Sequence, residues 1–268
     1  MMLKDTYGSW ALVAGAAEGL GEAYSRSIAK RGMNLIMVDH KPEEMDLLAI
    51  GLESEYGIST RRLQLDLGAD NAVELMRKEI EETSCRMILY NAAYSKVKRF
   101  SENSAADLDS YVAVNMRTPI QLVHNFVQFH RGNIQERKGI ILMSSMAGSW
   151  GTGMLAPYGA TKAFNRILAE ALHSELKPNG FDVMVCVAGA TATPAYLGTN
   201  PQYGRIKPHV MKPEAVSEEV LHFLGKKAVF VPGWRNRVAY FLLNRILSRR
   251  MAVGMFNKTV GEMYRNLM

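Results

Sequence analysis

The sequence predicts a doubly wound α/β (Rossmann) fold with about seven parallel strands and helices on both faces of the sheet. Near-continuous apolar runs alternate with helical stretches, as expected for strands that are buried on both sides. A glycine-rich turn follows the first apolar run, and 268 residues suit one large domain. Right-handed crossovers between parallel strands then produce the double winding.

The apolar runs predict strands at residues 10–14, 34–38, 62–65, 86–90, 139–143, 181–187 and 228–231. Helical stretches between them are expected at residues 20–31, 43–56, 71–82, 104–129 and 158–176. We expect Pro119 to kink the long fourth helix, because proline has no backbone N–H. The predicted domains are a catalytic Rossmann domain, 1–232, and a helical extension, 233–268, that packs on the same domain or on a partner.

The net positive charge lies entirely in the last segment of the chain. From Gly233 onward, seven cations and one anion account for the whole net charge of +6. The catalytic body is therefore neutral, which argues against binding to nucleic acid. Cys85 and Cys186 sit in apolar runs and predict small buried side chains in a reducing compartment, the cytoplasm. Six scattered histidines show no metal-ligand spacing, so no metal is expected.

The first strand leads directly into a turn with glycines at positions 15, 19 and 21, and a helix follows. Glycines in this position permit a tight turn and a close approach of the backbone to a pyrophosphate. The N–H groups at the start of the helix then face the phosphates, and the positive end of the helix dipole favours them. This strand, turn and helix predict a dinucleotide site.

Asp39 ends the second predicted strand, eighteen residues after Gly21. A carboxylate at this point accepts hydrogen bonds from the adenosine ribose hydroxyls and repels a 2′-phosphate. His40 and Lys41 follow it, and no arginine does. We therefore expect NAD rather than NADP, although Lys41 leaves NADP open and Asp39 could instead cap the next helix.

Tyr158 and Lys162 are four residues apart on a predicted helix, and Ser145 lies thirteen residues before Tyr158. Positions i and i+4 share one helix face. An ammonium beside a phenol favours the phenolate, so we expect a lowered pKa for Tyr158. A tyrosine of this kind can act as a general base near neutral pH.

These motifs resemble the short-chain dehydrogenase/reductase family over residues 9–232, and in particular its hydroxysteroid dehydrogenase-like members. The glycine turn, the Asp66-Leu67 pair and the Asn91-Ala92-Ala93 turn are similar to the family's cofactor motifs. The segment after Ala188-Gly189 resembles the one whose threonine holds the nicotinamide amide. The resemblance implies the following cofactor-binding residues: Gly15, Glu18, Gly19, Leu20, Gly21, Asp39, His40, Asp66, Leu67, Asn91, Ala92, Ala93, Tyr158, Lys162, Thr191 and Thr193.

The same resemblance implies four catalytic residues, Asn115, Ser145, Tyr158 and Lys162. Tyr158 would transfer the proton, Ser145 would hold the reacting oxygen, and Lys162 would bind the nicotinamide ribose. Asn115 would hold a water that connects Lys162 to solvent. The chain departs from the family pattern at four positions: Ala14, Tyr90, Ala93 and Ala188. The departures at Ala14 and Tyr90 would remove a hydrogen bond between the loops after the first and fourth strands.

Two apolar loops are expected to form the walls of the substrate site, residues 148–157 and a lid at residues 193–211. They favour a small lipophilic substrate, a hydroxysteroid first and a 3-oxoacyl thioester second; ordinary loop packing is the alternative explanation. A non-catalytic dinucleotide-binding regulator on the same fold is a competing hypothesis. A methyltransferase-like protein is a third, but it would have no use for Tyr158 and Lys162.

The basic extension predicts an amphipathic helix. One face would carry Arg237, Asn244, Arg245, Ser248 and Arg249, and the other Ala239, Leu242, Leu243 and Ile246. Packing on the domain or on a partner subunit is the favoured role, and peripheral contact with an anionic membrane is the alternative. Members of the family commonly pair through their long helices, which implies a homodimer or homotetramer.

Overall fold

The computed structural model describes residues 3–204 and 207–267. Its seven strands are β1 (Trp10–Ala14), β2 (Asn34–Asp39), β3 (Thr60–Gln64), β4 (Met87–Tyr90), β5 (Lys138–Ser145), β6 (Phe181–Ala188) and β7 (Val229–Phe230). All neighbouring strands are parallel, in the spatial order β3-β2-β1-β4-β5-β6-β7. The predicted doubly wound parallel sheet is confirmed.

Eleven α-helices connect or flank the strands in the described residues. They are α1 (Leu3–Tyr7), α2 (Gly19–Ala29), α3 (Pro42–Tyr56), α4 (Ala72–Thr83), α5 (Ala105–Val112), α6 (Thr118–Phe129), α7 (Ala156–Leu176), α8 (Pro194–Gly198), α9 (Pro213–Phe223), α10 (Trp234–Phe241) and α11 (Arg249–Met263).

The core lies in two layers, one on each face of the sheet. Neighbouring residues of β1 point to opposite faces, as the pleat requires. Val13 packs in the layer formed with α2, α3 and α9. Leu12 packs in the layer formed with α4, α6 and α7. The strands are therefore apolar on both sides, which is why their sequences show continuous apolar runs.

The edge strand β3 was the least accurately predicted, at residues 62–65 instead of Thr60–Gln64. It pairs with β2 alone, and its side chains are partly exposed or exposed. Arg61 and Arg62 lie within it and pair with carboxylates of neighbouring helices. A strand of this kind carries little hydrophobic signal.

The expected single helix over residues 104–129 is interrupted. A π-helical turn, Ala113–Arg117, separates α5 from α6. Pro119 has no N–H to give to the carbonyl of Asn115, four residues earlier. That carbonyl instead accepts a hydrogen bond from Asn165 Nδ2 of α7 at 3.2 Å. The predicted kink at Pro119 thus takes the form of a π turn, which places Asn115 against α7.

The sequence predicts no helix at the position of α9, which covers one face of the sheet. Val216 and Val220 stand four residues apart and are fully buried against the sheet. Pro213 begins the helix at a position where a missing N–H costs nothing. The helical spacing was therefore present in the sequence, although the loop-like prolines before it obscured it.

The C-terminal extension is helical, but it is not one continuous amphipathic helix as predicted. A π turn, Leu242–Ile246, ends α10. Leu247 and Ser248 then adopt extended backbone, and the Ser248 hydroxyl accepts a hydrogen bond from Met251 N to start α11. Ser248 and Arg249 consequently do not share a helix face with Arg237. Among the described residues, no helix combines the length and the hydropathy needed to cross a bilayer.

Candidate active site

A cavity of about 1600 Å³ opens at the carboxyl ends of the strands. It lies where the chain order reverses between β1 and β4, the usual ligand site of an open parallel sheet. Cavities for single small ligands measure about 300–1000 Å³. The size therefore fits a dinucleotide together with a second ligand.

The glycine turn forms the floor of the cavity beside the start of α2. Gly15 has φ +78°, and a Cβ there would lie 2.8 Å from the backbone of Ala92. A Cβ on Gly21 would lie 1.7 Å from the carbonyl oxygen of Gly15. Both positions therefore require glycine, because neither has room for a side chain.

The N-terminus of α2 faces the same cavity, and its first amides are not capped by the side chain of Glu18. That carboxylate pairs with Lys41 Nζ at 2.7 Å instead. Free amides and the helix dipole make this a suitable site for phosphate groups. The turn and the helix thus fit the pyrophosphate of a dinucleotide.

Asp39 lies at the end of β2 with its side chain 7% exposed, on the cavity wall. One carboxylate oxygen accepts a hydrogen bond from Ala17 N at 2.9 Å. The other accepts from Lys41 N at 3.2 Å and lies 3.2 Å from His40 Nδ1. The carboxylate is therefore held in place. Its bond from Lys41 N closes a turn before α3, whose N-cap residue is Lys41 and which no side chain caps, so the alternative role as a helix cap is not seen.

The structure brings almost the whole predicted cofactor set to one cavity. Gly21 is the exception: it lies behind the turn and contributes by close packing. The predicted residues that line the cavity are Gly15, Glu18, Gly19, Leu20, Asp39, His40, Asp66, Leu67, Asn91, Ala92, Ala93, Tyr158, Lys162, Thr191 and Thr193.

Tyr158, Ser145 and Lys162 meet on one wall of this cavity. Ser145 ends β5, and its hydroxyl, which accepts a hydrogen bond from Ala147 N at 3.2 Å, lies beside the Tyr158 phenol. Lys162 is 3% exposed, and its Nζ lies 5.5 Å from the centre of the Tyr158 ring. The same ammonium donates to Met143 O at 3.1 Å. Ser144, the neighbour of Ser145, donates to Lys162 O at 2.7 Å and so holds α7 rather than facing the phenol.

The predicted lowering of the Tyr158 pKa is wrong for this structure. Burial raises the pKa of Tyr158 to about 12, and the hydrogen bond with Ser145 only partly opposes this. Burial also lowers the pKa of Lys162 to about 8. Removing both groups from water disfavours their charged forms, and burial is the largest cause of both shifts. The phenol is therefore protonated at neutral pH.

Asn115 lies behind the wall formed by Tyr158 and Lys162 and is fully buried in the π turn. Its side-chain amide donates to Tyr94 O at 2.9 Å and to Thr161 Oγ1 at 3.1 Å, and its oxygen accepts from Tyr94 N at 2.7 Å. Thr161 in turn donates to Tyr158 O at 2.8 Å. Asn115 thus connects the loop after β4 to the helix that carries Tyr158.

Sequence reasoning missed two positioning residues, Thr161 and Asn165. Both are buried on α7, three and seven residues after Tyr158, and both bond to Asn115. Polar residues on a buried helix face are costly unless they are hydrogen-bonded, so their presence there was a usable signal.

The departures at Ala14 and Tyr90 leave the two loops connected. Asn91 N and Ala92 N both donate to Ala14 O at 2.9 Å, and Asn91 Nδ2 donates to Gly15 O at 2.8 Å. Tyr90 donates to Val114 O at 2.6 Å, which anchors the π turn. Backbone bonds therefore replace the side-chain bond that these substitutions remove.

The substrate end of the cavity differs in part from the expectation. Of the first predicted wall, Leu155 lines the cavity, whereas Trp150 and Met154 are buried in packing. From the predicted lid, Tyr196 and Tyr203 line it, and Arg205 and Ile206 lie outside the described residues.

The C-terminal extension supplies a third wall that the sequence did not locate. Residues of α11 and the residue after it line the cavity next to the lid: Phe256, Thr259, Val260, Met263 and Tyr264. The ring of Phe256 contacts Trp150, with centroids 5.2 Å apart. The Asn257 side chain forms two hydrogen bonds with the backbone of the loop after β5. Its oxygen accepts from Gly153 N at 2.7 Å, and its Nδ2 donates to Gly151 O at 2.9 Å.

Residues 9–203 match the family model described as short chain dehydrogenase, and the chain belongs to this family. It is 30% identical over 240 residues to a 7β-hydroxysteroid dehydrogenase of Collinsella aerofaciens. The matched region covers 88% of this chain and 90% of that protein. The chain is 27% identical over 262 residues to a very-long-chain 3-oxoacyl-CoA reductase of Phaeosphaeria nodorum, covering 92% and 74% respectively.

A solved structure described in terms of 7β-hydroxysteroid dehydrogenase stereoselectivity superposes with a TM-score of 0.87. Its sequence identity is 27%, and the match covers 96% of this chain and 99% of that one. The protein is thus an oxidoreductase of the short-chain dehydrogenase family.

We expect Gly21→Ala to weaken dinucleotide binding by about tenfold or more, about 1.4 kcal/mol, because the new Cβ displaces the Gly15 carbonyl and the turn. The measurement is NADH fluorescence titration. Gly51→Ala is the matched control, since a Cβ there meets nothing within 4 Å in the middle of α3. Unchanged NADH affinity in Gly21→Ala would contradict this account of the turn.

Proposed function

We propose that the protein is an NAD-dependent oxidoreductase that interconverts a lipophilic secondary alcohol and a ketone, with a hydroxysteroid as the first candidate substrate. One observation carries the proposal. Tyr158, Ser145 and Lys162 meet on the wall of a cavity that runs from the glycine turn to an apolar end formed by the lid and α11.

Each of the three side chains has a separate role in the reaction at the substrate oxygen. In reduction, Ser145 donates a hydrogen bond to the carbonyl and stabilises its developing negative charge. Tyr158, protonated at neutral pH, gives its proton to that oxygen, and in oxidation it takes the proton back. The Lys162 ammonium stabilises the phenolate that forms. The nicotinamide, when bound, supplies or accepts the hydride.

Asn115 acts as a positioning residue in this proposal. It holds Thr161, which bonds to the backbone of Tyr158, and its carbonyl holds Asn165. The expected water that links Lys162 to solvent would lie on this side of α7. The buried oxygen of Asn165 has no hydrogen-bond partner within the described chain, which supports a polar ligand there.

The apolar end of the cavity supports a lipophilic substrate. Tyr196, Phe256, Val260, Met263 and Tyr264 line it. The last three form a small buried cluster, and Phe256 and Tyr196 pack at its edge. Flat rings of this kind suit a rigid polycyclic ligand. The 7β-hydroxysteroid dehydrogenase of Collinsella aerofaciens points to the same substrate class.

A 3-oxoacyl thioester is the second candidate. The very-long-chain 3-oxoacyl-CoA reductase of Phaeosphaeria nodorum favours it. The Asp39 carboxylate argues against it, because such reductases are expected to use NADPH. A non-catalytic regulator would have no need of the assembled Ser145, Tyr158 and Lys162, so we place it last.

The test is a panel of hydroxysteroids, oxosteroids, 3-oxoacyl thioesters and sugars, followed by NADH or NADPH fluorescence. We expect turnover of an oxosteroid or hydroxysteroid, and we expect Tyr158→Phe to reduce kcat by orders of magnitude with NADH affinity nearly unchanged. The phenol hydroxyl is removed while the ring and its packing remain.

Two results would count against the proposal. Turnover of thioesters alone would replace the steroid by the second candidate. Wild-type kcat in Tyr158→Phe would remove the proton-transfer role of this residue. Tyr56→Phe on α3 is the matched control, because it removes a phenol hydroxyl that does not line the cavity.

We propose NAD rather than NADP as the cofactor, since the held Asp39 carboxylate would lie against a 2′-phosphate. Asp39→Asn keeps the bond from Ala17 N and removes the charge. We expect it to raise the ratio of kcat/KM for NADPH to that for NADH by about tenfold or more. Asp109→Asn, on the exposed side of α5, should leave the ratio unchanged. A wild-type preference for NADPH would overturn the assignment.

We expect kcat/KM for NADH in reduction to fall as the pH rises above about 8. This parameter reports the free enzyme, in which the Lys162 pKa is lowered to about 8. Below that pH the ammonium is charged and stabilises the phenolate; above it, the amine is neutral and does not. Initial rates between pH 6 and pH 10 test this, and a flat profile over that range would refute it.

We propose a homodimer or homotetramer, located in the cytoplasm. The outward sides of α5, α6 and α7 expose Val112, Ile120 and Ile167, which supports pairing through these helices. Both cysteines are buried and free, as expected for a reducing compartment. Light scattering that returns the mass of a single chain would exclude the oligomer.

A further inference from the structure

The outward face of α10 and its π turn carries a row of large apolar side chains that nothing in the described chain covers. Trp234, Val238, Phe241 and Leu242 lie at helical spacing on one side, and Ile246 follows in the π turn. All five are between 46% and 64% exposed. We call these five residues the tail face.

The opposite side of the same helix is already occupied by the catalytic domain. Asn236 is buried and donates to Pro232 O at 3.1 Å. Tyr240 accepts a hydrogen bond from Arg166 of α7 at 2.9 Å, and its ring packs against Trp150. The orientation of α10 is thus set by contacts on its inner side, and the tail face cannot turn inward without breaking them.

The surroundings of the tail face are strongly basic. Arg235, Arg245, Arg249 and Arg250 are exposed next to it, while Arg237 pairs with Glu219 at 2.9 Å. The sequence has no Asp or Glu between residues 233 and 261. Arg235 lies over the Trp234 ring, with its Cζ 5.4 Å from the ring centre. None of these four arginines forms a salt bridge with a carboxylate of the described residues. An apolar row with Trp and Phe that is bordered by such arginines has the two properties that bind a helix to the surface of an anionic bilayer.

We propose that the tail face lies on anionic membrane lipids, with its apolar side chains among the acyl chains and the flanking arginines at the phosphates. The helix would lie parallel to the membrane plane. The domain would then be a peripheral membrane protein, held by insertion and by charge together.

A second copy of the chain is the less favoured occupant of this face. A symmetric dimer contact uses the same patch on both subunits. Such a contact would bring the four arginines against their own equivalents, with no carboxylate in the segment to compensate. Anionic lipid supplies the opposite charge, and the acyl chains accept the apolar row.

The position of the tail face gives membrane binding a consequence for the substrate. Arg235 and Ala239 of the same helix line the cavity. A bound membrane would therefore lie beside the cavity, and a lipophilic substrate could enter it from the lipid. This consequence rests on the proposed function, whereas membrane binding itself does not.

Flotation of the full-length protein with vesicles tests the proposal. We expect the protein to float with phosphatidylcholine vesicles that contain 30% phosphatidylglycerol, and to stay at the bottom of the gradient with phosphatidylcholine alone. Adding 0.5 M NaCl should weaken the flotation, because salt screens the arginines. NADH titration and circular dichroism on each variant verify that it is folded.

Two double variants separate the apolar from the electrostatic contribution. Trp234→Ser with Phe241→Ser removes insertion, and Arg245→Gln with Arg249→Gln removes charge; we expect each to reduce the floated fraction at least fivefold. The matched controls are Leu47→Ser with Ile50→Ser on α3, and Lys30→Gln with Lys177→Gln, which should float as the wild type does. These control positions are equally exposed and lie outside the tail.

Three results would overturn the proposal. The first is wild-type protein that does not float with the anionic vesicles. The second is unreduced flotation of both tail variants. The third is a change of mass in solution, by light scattering, for Trp234→Ser with Phe241→Ser, which would assign the tail face to contact between copies. Oxidoreductase activity is measured in buffer without vesicles or detergent and does not depend on membrane binding. The proposed function and the membrane proposal can therefore fail separately.

Discussion

The arrangement of Ser145, Tyr158 and Lys162 depends on how closely α7 approaches the carboxyl end of β5. A Cβ on Gly148 would lie 2.7 Å from the backbone of Lys162, and one on Gly159 would lie 2.9 Å from the carbonyl of Ala147. The missing side chains let the helix rest directly on the turn after the strand. Ser144 then bonds to the backbone of α7, so that Ser145 and Tyr158 are left facing each other.

This close packing also explains the acid–base properties of the site. Tyr158 and Lys162 are removed from water by the same contact that aligns them. Burial raises the pKa of the phenol to about 12 and lowers that of the amine to about 8, so at neutral pH the phenol is protonated while most of the amine still carries its charge. The phenol proton and the ammonium charge are therefore both present at neutral pH, as the proposed proton transfer requires.

The extension beyond the sheet completes the cavity and, at the same time, leaves a surface uncovered. Its second helix, α11, packs against the lid and the loop after β5, through the cluster around Val260 and Tyr264. Its first helix, α10, is fixed by Asn236 and Tyr240 on one side only. One short segment therefore connects the substrate end of the site with the apolar, basic exterior of the protein.

The sequence alone determined the sheet, its connections and the residues of the cofactor turn. Those features depend on local chemistry: apolar runs for buried strands, glycines where no Cβ fits, and a Tyr158–Lys162 spacing that places two groups on one helix face. Nearly all predicted cofactor residues meet in one cavity for this reason. The edge strand β3 was placed less well, because half-exposed strands carry a weak pattern.

Tertiary structure decided what depends on distant partners. The π turn at Asn115 exists because Pro119 frees a carbonyl that Asn165, fifty residues later, can use. The pKa of Tyr158 depends on burial, which spacing does not reveal. The path of the extension back to the cavity, and the division of α10 into a packed and an uncovered side, follow from contacts between segments that are far apart in the chain.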